Sequence, residues 1–400
     1  MGYIDGCRAL AVLAVVSYHS LTDARWALAP LSLPPGTHPD RWAVTLMSKG
    51  AHGIDLFFVI SGFCLAYPML AALRRDGAAT FNVERFFSKR LVRIFPPYYA
   101  ALFICVGVLV LLRLAHIPPP GGIDPATGAS DVLREILMLD RGTHLADGAT
   151  WTLFVEIRWY LVFPLMLALW LSSKRAFGVA LVAAIIAFNF TRARSFDLGV
   201  LPAFMLGIVA ADWQINGHPL RKYAPILTAI TFDLALLLEP YASSPGVGAG
   251  EDYGFFIPTN TGWHLASFFF VVAAGSWAPL RSFLSLRSLG FIGLISYSIF
   301  LVHQPLIGFI TEHAVPALGP FGTVVAGYAA SIAAGALFWT LVERRFCTGN
   351  PLHDRLVRYL EPRIGRLLNA AGLPRNFTRG PRPVLVSAEP QLQSVEMREP

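Results

Sequence analysis

Ten apolar runs, at about 6–22, 52–72, 94–113, 152–171, 176–190, 198–212, 224–239, 263–279, 290–310 and 320–342, constrain this chain more than any other feature. A hydrocarbon layer about 30 Å thick is crossed by roughly 20 apolar residues of α-helix, and a lone extended segment cannot satisfy its backbone there. The pattern predicts an all-α polytopic membrane protein with about ten transmembrane helices. The fifth, sixth and seventh runs are short, so tilted or kinked spans are expected. With 55% hydrophobic and 14% charged residues, a soluble globular domain is excluded. The net charge of +7 does not imply nucleic acid, because the Lys and Arg lie between apolar runs, where they set orientation.

Short connections after even-numbered runs carry Arg74, Arg75, Arg85, Lys89, Arg90 and Arg93, then Lys174 and Arg175, Arg221 and Lys222, and Arg281 and Arg287. The opposite connections are leaner or acidic, with Glu239, Glu251, Asp252 and Glu312; their cations, such as Arg41, Arg141 and Arg192, are spread over longer loops. Both termini are therefore expected in the cytoplasm, in a multi-pass protein of the cytoplasmic (inner) membrane. Ala27-Leu28-Ala29 could pass for a signal-peptide cleavage site, but Asp5 beside Arg8 spoils the positive leader, so the first helix is expected to be retained. Cys7, Cys64, Cys105 and Cys347 lack metal-ligand spacing and read as packing residues.

Ionisable side chains inside spans are costly enough to mark function. Arg8 and His19 lie eleven residues apart in the first run, about 16 Å along a helix, and so at different depths. The orientation puts Arg8 near the cytoplasmic face and His19 near the outer end. Asp55 in GIDLFFVISGF and Glu156 in WTLFVEIRWYLVFP fall at the same outer level. A histidine beside carboxylates in a low-dielectric site is how a general base is oriented. The alternative is that each satisfies a local partner. At the inner level Arg90 and Arg93 share a helix face and, with Lys89 and Arg8, form a cluster suited to phosphates. Such clusters also simply fix topology or meet anionic lipid.

The pair R-x10-H at Arg8 and His19, GIDLFFVISGF at 53–63, R-x-x-R at Arg90 and Arg93 before IFPPYY, WTLFVEIRWY at 151–160 and SYSIFLVHQPL at 296–306 resemble, in order, the membrane acyltransferase-3 family. The resemblance implies transfer of an acyl group, commonly acetyl from cytoplasmic acetyl-CoA, to sugar hydroxyls of surface or secreted glycans or of small molecules. It assigns the activity-bearing positions to Arg8, His19, Arg90 and Arg93, with Lys89 beside them. No metal is implied. His19, held by Asp55 or Glu156, would deprotonate the acceptor, or carry the acyl group itself. His303 and the Ser296-Tyr297-Ser298 run would line the tunnel or donate to the oxyanion, unless His303 only makes an interhelical hydrogen bond. Arg158 departs from the pattern, and is expected to pair with Glu156 or Asp55 or to bind an acidic acceptor. Some relatives carry an extracytoplasmic hydrolase-like domain after the bundle; none is expected in 347–400.

The division expected is a bundle at 1–346, an interfacial amphipathic segment at 347–371, interrupted at Pro362, and a disordered cytoplasmic tail at 372–400. Asp233 reads as a structural hydrogen-bonder, and Glu343 with Arg344 and Arg345 as an ion cluster at the inner surface. The loops 117–128 and 239–262 are the expected acceptor contacts. A transporter or flippase of a glycan or lipid-linked precursor is the rival class. It would use the same buried charges as a path and leave any thioester intact.

Overall fold

The computed structural model describes residues 2–22, 47–117, 129–138, 150–190, 196–242 and 257–379. Helix α1 is Gly2–Thr22; after a 3-10 turn at Lys49–His52 come α2 Gly53–Asp76, strand β1 Ala79–Asn82 and α3 Val83–Leu114. Then follow α4 Ala129–Ile136, α5 Trp151–Ser172, α6 Lys174–Phe190, α7 Phe196–Asn216, α8 Ala224–Ala242 and α9 Ile257–Ser276. The chain closes with α10 Ala278–Leu284, α11 Arg287–Leu294, α12 Ser296–Leu341, α13 Pro351–Ala370 and β2 Asn376–Arg379. The protein is thus mostly helical, and its long apolar helices are those of a membrane protein.

Among the described residues four helices are long and apolar enough to cross a membrane: 49–76, α3, α5 and the 322–341 half of α12. Two bent pairs would make six, 261–276 with α10 at 95° and α11 with 296–311 at 71°. Helix α12 is itself broken at Gly319, whose φ of +67° only glycine adopts without strain. Prolines interrupt α2, α3, α5 and α7 at Pro68, Pro96, Pro97, Pro164 and Pro202 without ending them. Such breaks are tolerated where neighbouring helices resatisfy the backbone.

Helices in lipid gain little from apolar burial against one another, so close backbone approach has to hold them. The α2–α7 crossing shows this. Gly62 faces the Phe204 carbonyl and Gly207 the Val59 carbonyl, and a Cβ on either would overlap that oxygen. Gly207→Val should therefore cost at least about 1–3 kcal/mol of overpacking. The unfolding midpoint of purified protein should fall clearly for Gly207→Val and barely for Gly178→Val, where a Cβ meets nothing; equal midpoints would contradict the crossing.

Helix α1 occupies the centre. It packs on α2 and on α10, α11 and α12, with Ser17 hydrogen-bonded to Tyr328 on the second half of α12. At the other end of the chain, α13 runs unbroken through Pro362 and packs along α3, so the expected interruption is absent. Asn350 caps it by accepting from the Leu352 N–H at 3.0 Å, which lets the helix start cleanly at Pro351. Disorder from 372 onward also fails for the described part. Strand β2 pairs antiparallel with β1, and Arg375 binds both Glu84 oxygens at 2.7 and 2.9 Å, tying the segment to the first turn of α3. Residues 380–400 lie outside the described residues.

Candidate functional site

A cavity of about 420 Å³ opens between α1, α2, α3, α5 and the α11–α12 bend. Arg8, Lys89, Arg90, Arg93, Glu156 and Tyr297 all line it, so two helices, α1 and α3, bring the expected cations to one place. Arg90 and Arg93 project together because residues three apart share a helix face. Their settings differ. Arg8 contacts Asp5 Oδ1 at 3.2 Å and donates to Cys64 Sγ at 3.5 Å. Arg93 reaches Glu343 Oε1 at 2.5 Å and Cys347 Sγ at 2.7 Å, above the Tyr297 ring. Arg90 lies 5.7 Å from the Tyr160 ring centre. Among the described residues Lys89 and Arg90 form no ion pair, and the Arg90 Nε is buried without a hydrogen-bond partner.

Glu156 belongs to this cavity and not to the level of Asp55. It accepts from Ser61 at 2.5 Å and from Tyr160. Ser61 lies six residues beyond Asp55 on α2, about 9 Å along the helix. Arg158 does not line the cavity and does not pair with Glu156, since residues two apart on a helix point away from each other. Tyr297 donates to the Ile94 carbonyl at 3.0 Å, and Ser298, wholly buried, donates to Glu343. The Ser296-Tyr297-Ser298 run is therefore split: Ser296 and Tyr297 reach the cavity, while Ser298 lies behind it.

At its apolar end the cavity is lined by Phe57 and Phe300, whose rings meet edge to face with centres 6.1 Å apart. Behind Phe300 stands His303, with ring centres 5.7 Å apart, and 5.1 Å beyond that ring is His19. Both histidines are buried. His303 Nδ1 is 2.9 Å from the Phe300 carbonyl, a contact that requires the proton on Nδ1 and so fixes its tautomer when neutral. The pairing of His19 with a second histidine was not legible in the sequence.

Asp55 does not hold His19. Its carboxylate is buried between His52, whose Nδ1 is 2.9 Å away, and His264, whose Nε2 is 3.2 Å away. The His52 ring stacks on Trp263 at 4.2 Å. This cluster ties the 3-10 turn, α2 and α9 together. His52, Trp263 and His264 gave no motif; the nearest signal was His52 at three residues' spacing from Asp55.

Glu343 is also corrected. It is not a surface group but a fully buried carboxylate that pairs with Arg93 and accepts from Ser298, while Arg344 and Arg345 alone face outward. Asp233 is exposed on α8 with no hydrogen bond or ion pair among the described residues, so the expected structural hydrogen bond is not made there. The four cysteines are free. The loops expected to meet an acceptor fall largely at 118–128 and 243–256, outside the described residues.

The acyltransferase domain Acyl_transf_3 matches residues 1–340. The O-acetyltransferase OatA of Staphylococcus aureus strain NCTC 8325 / PS 47 is 23% identical over 350 residues, covering 78% of this chain and 51% of that protein. OatA of strain COL and of strain MRSA252 matches to the same extent. The chain thus spans about half the length of the curated relatives it matches. No solved structure matches it significantly.

Proposed function

The chain belongs to the acyltransferase-3 family, and from that premise we propose that it is a membrane O-acyltransferase. It moves an acyl group, most simply acetyl, from cytoplasmic acyl-CoA to a hydroxyl of a sugar in a surface or secreted glycan or glycosylated small molecule. The observation that carries this reading is the cavity itself. Lys89 and Arg90, which form no ion pair among the described residues, stand at one part of its wall, and behind the Phe57–Phe300 end stand His303 and, beyond it, His19, neither of which lines the cavity. A transfer between an anionic thioester and a hydroxyl needs those two environments and an apolar path between them.

In this mechanism the cations hold the donor's phosphates. Glu156, fixed by Ser61 and Tyr160, accepts from amide N–H groups of the pantetheine arm. The acyl group lies at the Phe57–Phe300 end, against the two aromatic rings. His19 takes the proton of the acceptor hydroxyl as the oxygen attacks the thioester carbonyl. The tetrahedral intermediate collapses with loss of the CoA thiolate, which receives the proton back from the His19 imidazolium. His303 positions His19. Asp55, closed between two histidines, holds the helices and not the base. The accompanying topology is ten spans with both termini cytoplasmic, in the cytoplasmic membrane; eight of the ten apolar runs follow one helix each, and the runs 263–279 and 290–310 cross the two bends. The excess of Lys and Arg in alternate short connections supports this orientation.

Purified protein in proteoliposomes should release free CoA thiol from acetyl-CoA only when a sugar acceptor is supplied, with acetyl appearing on the acceptor by mass spectrometry. Movement of a glycan across the vesicle membrane without thiol release would instead establish the transporter reading.

A further inference from the structure

The 3-10 turn Glu343–Phe346 divides its charges. Glu343 points inward to Arg93, whereas Arg344 and Arg345 are exposed. Together with Cys347, Thr348, Gly349 and Asn350 they line an open recess of about 580 Å³. Thr348 borders both this recess and the cavity, so the two are neighbours along one wall. Gly349, at φ +89°, makes the turn that folds the recess back against α13. Among the described residues neither Arg344 nor Arg345 forms an ion pair, and the adjacent carboxylate is committed to Arg93 and Ser298. Inside the cavity, by contrast, Arg8 already faces Asp5 and Arg93 already faces Glu343. The uncompensated positive charge is therefore Lys89 and Arg90 within, and Arg344 and Arg345 just outside.

We propose that this recess binds the 3′-phosphorylated nucleotide end of the acyl-CoA donor through Arg344 and Arg345, while the pantetheine arm passes Thr348 into the cavity. The proposal rests on the acyl-CoA reading above and adds the subsite that distinguishes CoA from a shorter thioester. Guanidinium groups fit phosphate oxygens two at a time, and the open recess takes the nucleotide end while the cavity cations next to it meet the diphosphate. Anionic lipid headgroups share the same phosphate chemistry, so the experiment has to separate the two sources.

The full chain, reconstituted in phosphatidylcholine vesicles and in phosphatidylcholine–phosphatidylglycerol vesicles, is assayed with acetyl-CoA and with S-acetylpantetheine. The quantity read is the ratio of kcat/KM for the two donors, within one preparation, so that a partial loss of folded protein cancels. The wild type should prefer acetyl-CoA. Arg344→Ala/Arg345→Ala should reduce that preference at least about tenfold in both vesicle types, since even one lost charge-assisted phosphate contact has that size. Adenosine 3′,5′-bisphosphate should compete with acetyl-CoA in the wild type and weaken in parallel in the variant. An unchanged preference with normal wild-type turnover would overturn the recess while leaving the donor reading intact. Loss confined to phosphatidylglycerol vesicles and equal for both donors would assign the arginines to lipid headgroups and overturn it too. If the wild type uses neither thioester, the donor reading falls and the recess falls with it.

Discussion

His19→Ala should lower acyl transfer by about 10²–10⁴-fold, the usual contribution of a positioned proton acceptor, while leaving acetyl-CoA binding by the folded protein nearly unchanged. The expectation follows from where the ring sits. It is buried at the far end of α1, next to His303 and beyond the Phe57–Phe300 end of the cavity, whereas the cations that hold the donor are grouped elsewhere along the same space. Donor affinity and proton transfer are thus carried by separate residues and should fail separately. His303→Gln tests the positioning role: its Nδ1 contact to the Phe300 carbonyl can be kept by an amide N–H, so the loss should be well below that of His19→Ala. A rate loss for His303→Gln as large as for His19→Ala would move the base to His303. Trapping an acetyl adduct on His19 after mixing with acetyl-CoA alone would replace direct transfer by the covalent route.

How much of this could be read from residues alone depended on the kind of signal. The helices were legible because each apolar run had to bury its backbone in helix. The cation cluster was legible because Arg90 and Arg93 share a face and Arg8 repeats the same charge at the matching end of another span. The partners of the buried acids were not. Glu156 and Asp55 were assigned a common depth by counting residues from their helix starts, but lateral packing places Ser61 and Tyr160 on one and His52 and His264 on the other. A depth argument carries no azimuth, so it cannot choose among neighbours. Glu343 was misread for a related reason: in the string Glu343-Arg344-Arg345 the sequence offers a ready local ion cluster, while the fold sends the acid inward and the two cations outward. The strand pairing of 376–379 with 79–82 joins segments about 300 residues apart and leaves only four residues of pattern at each end.

The Arg93–Glu343 pair yields the other large effect, and its two halves should not behave alike. Glu343 is fully buried, whereas Arg93 keeps 30% of its side-chain surface open to the cavity. Removing the arginine therefore strands a carboxylate with no access to water, and Ser298 alone remains to donate to it. Loss of one member of a buried pair costs about 3–5 kcal/mol when the survivor stays charged and dry. Arg93→Ala should approach that figure, read as a fall in the unfolding midpoint in detergent. Glu343→Gln is different, because the cation left behind still meets the cavity and the amide still accepts from Ser298. It should cost no more than about 1–2 kcal/mol. The double variant Arg93→Ala/Glu343→Gln should then recover most of the stability lost by Arg93→Ala, because the stranded charge is gone. Its activity should not recover, since the cation that faces the donor is still missing. Equal destabilisation by the two single variants would show that Arg93 is as desolvated as its partner. Recovery of turnover in the double variant would show that Arg93 serves the fold alone, leaving the donor to Lys89, Arg90 and Arg8.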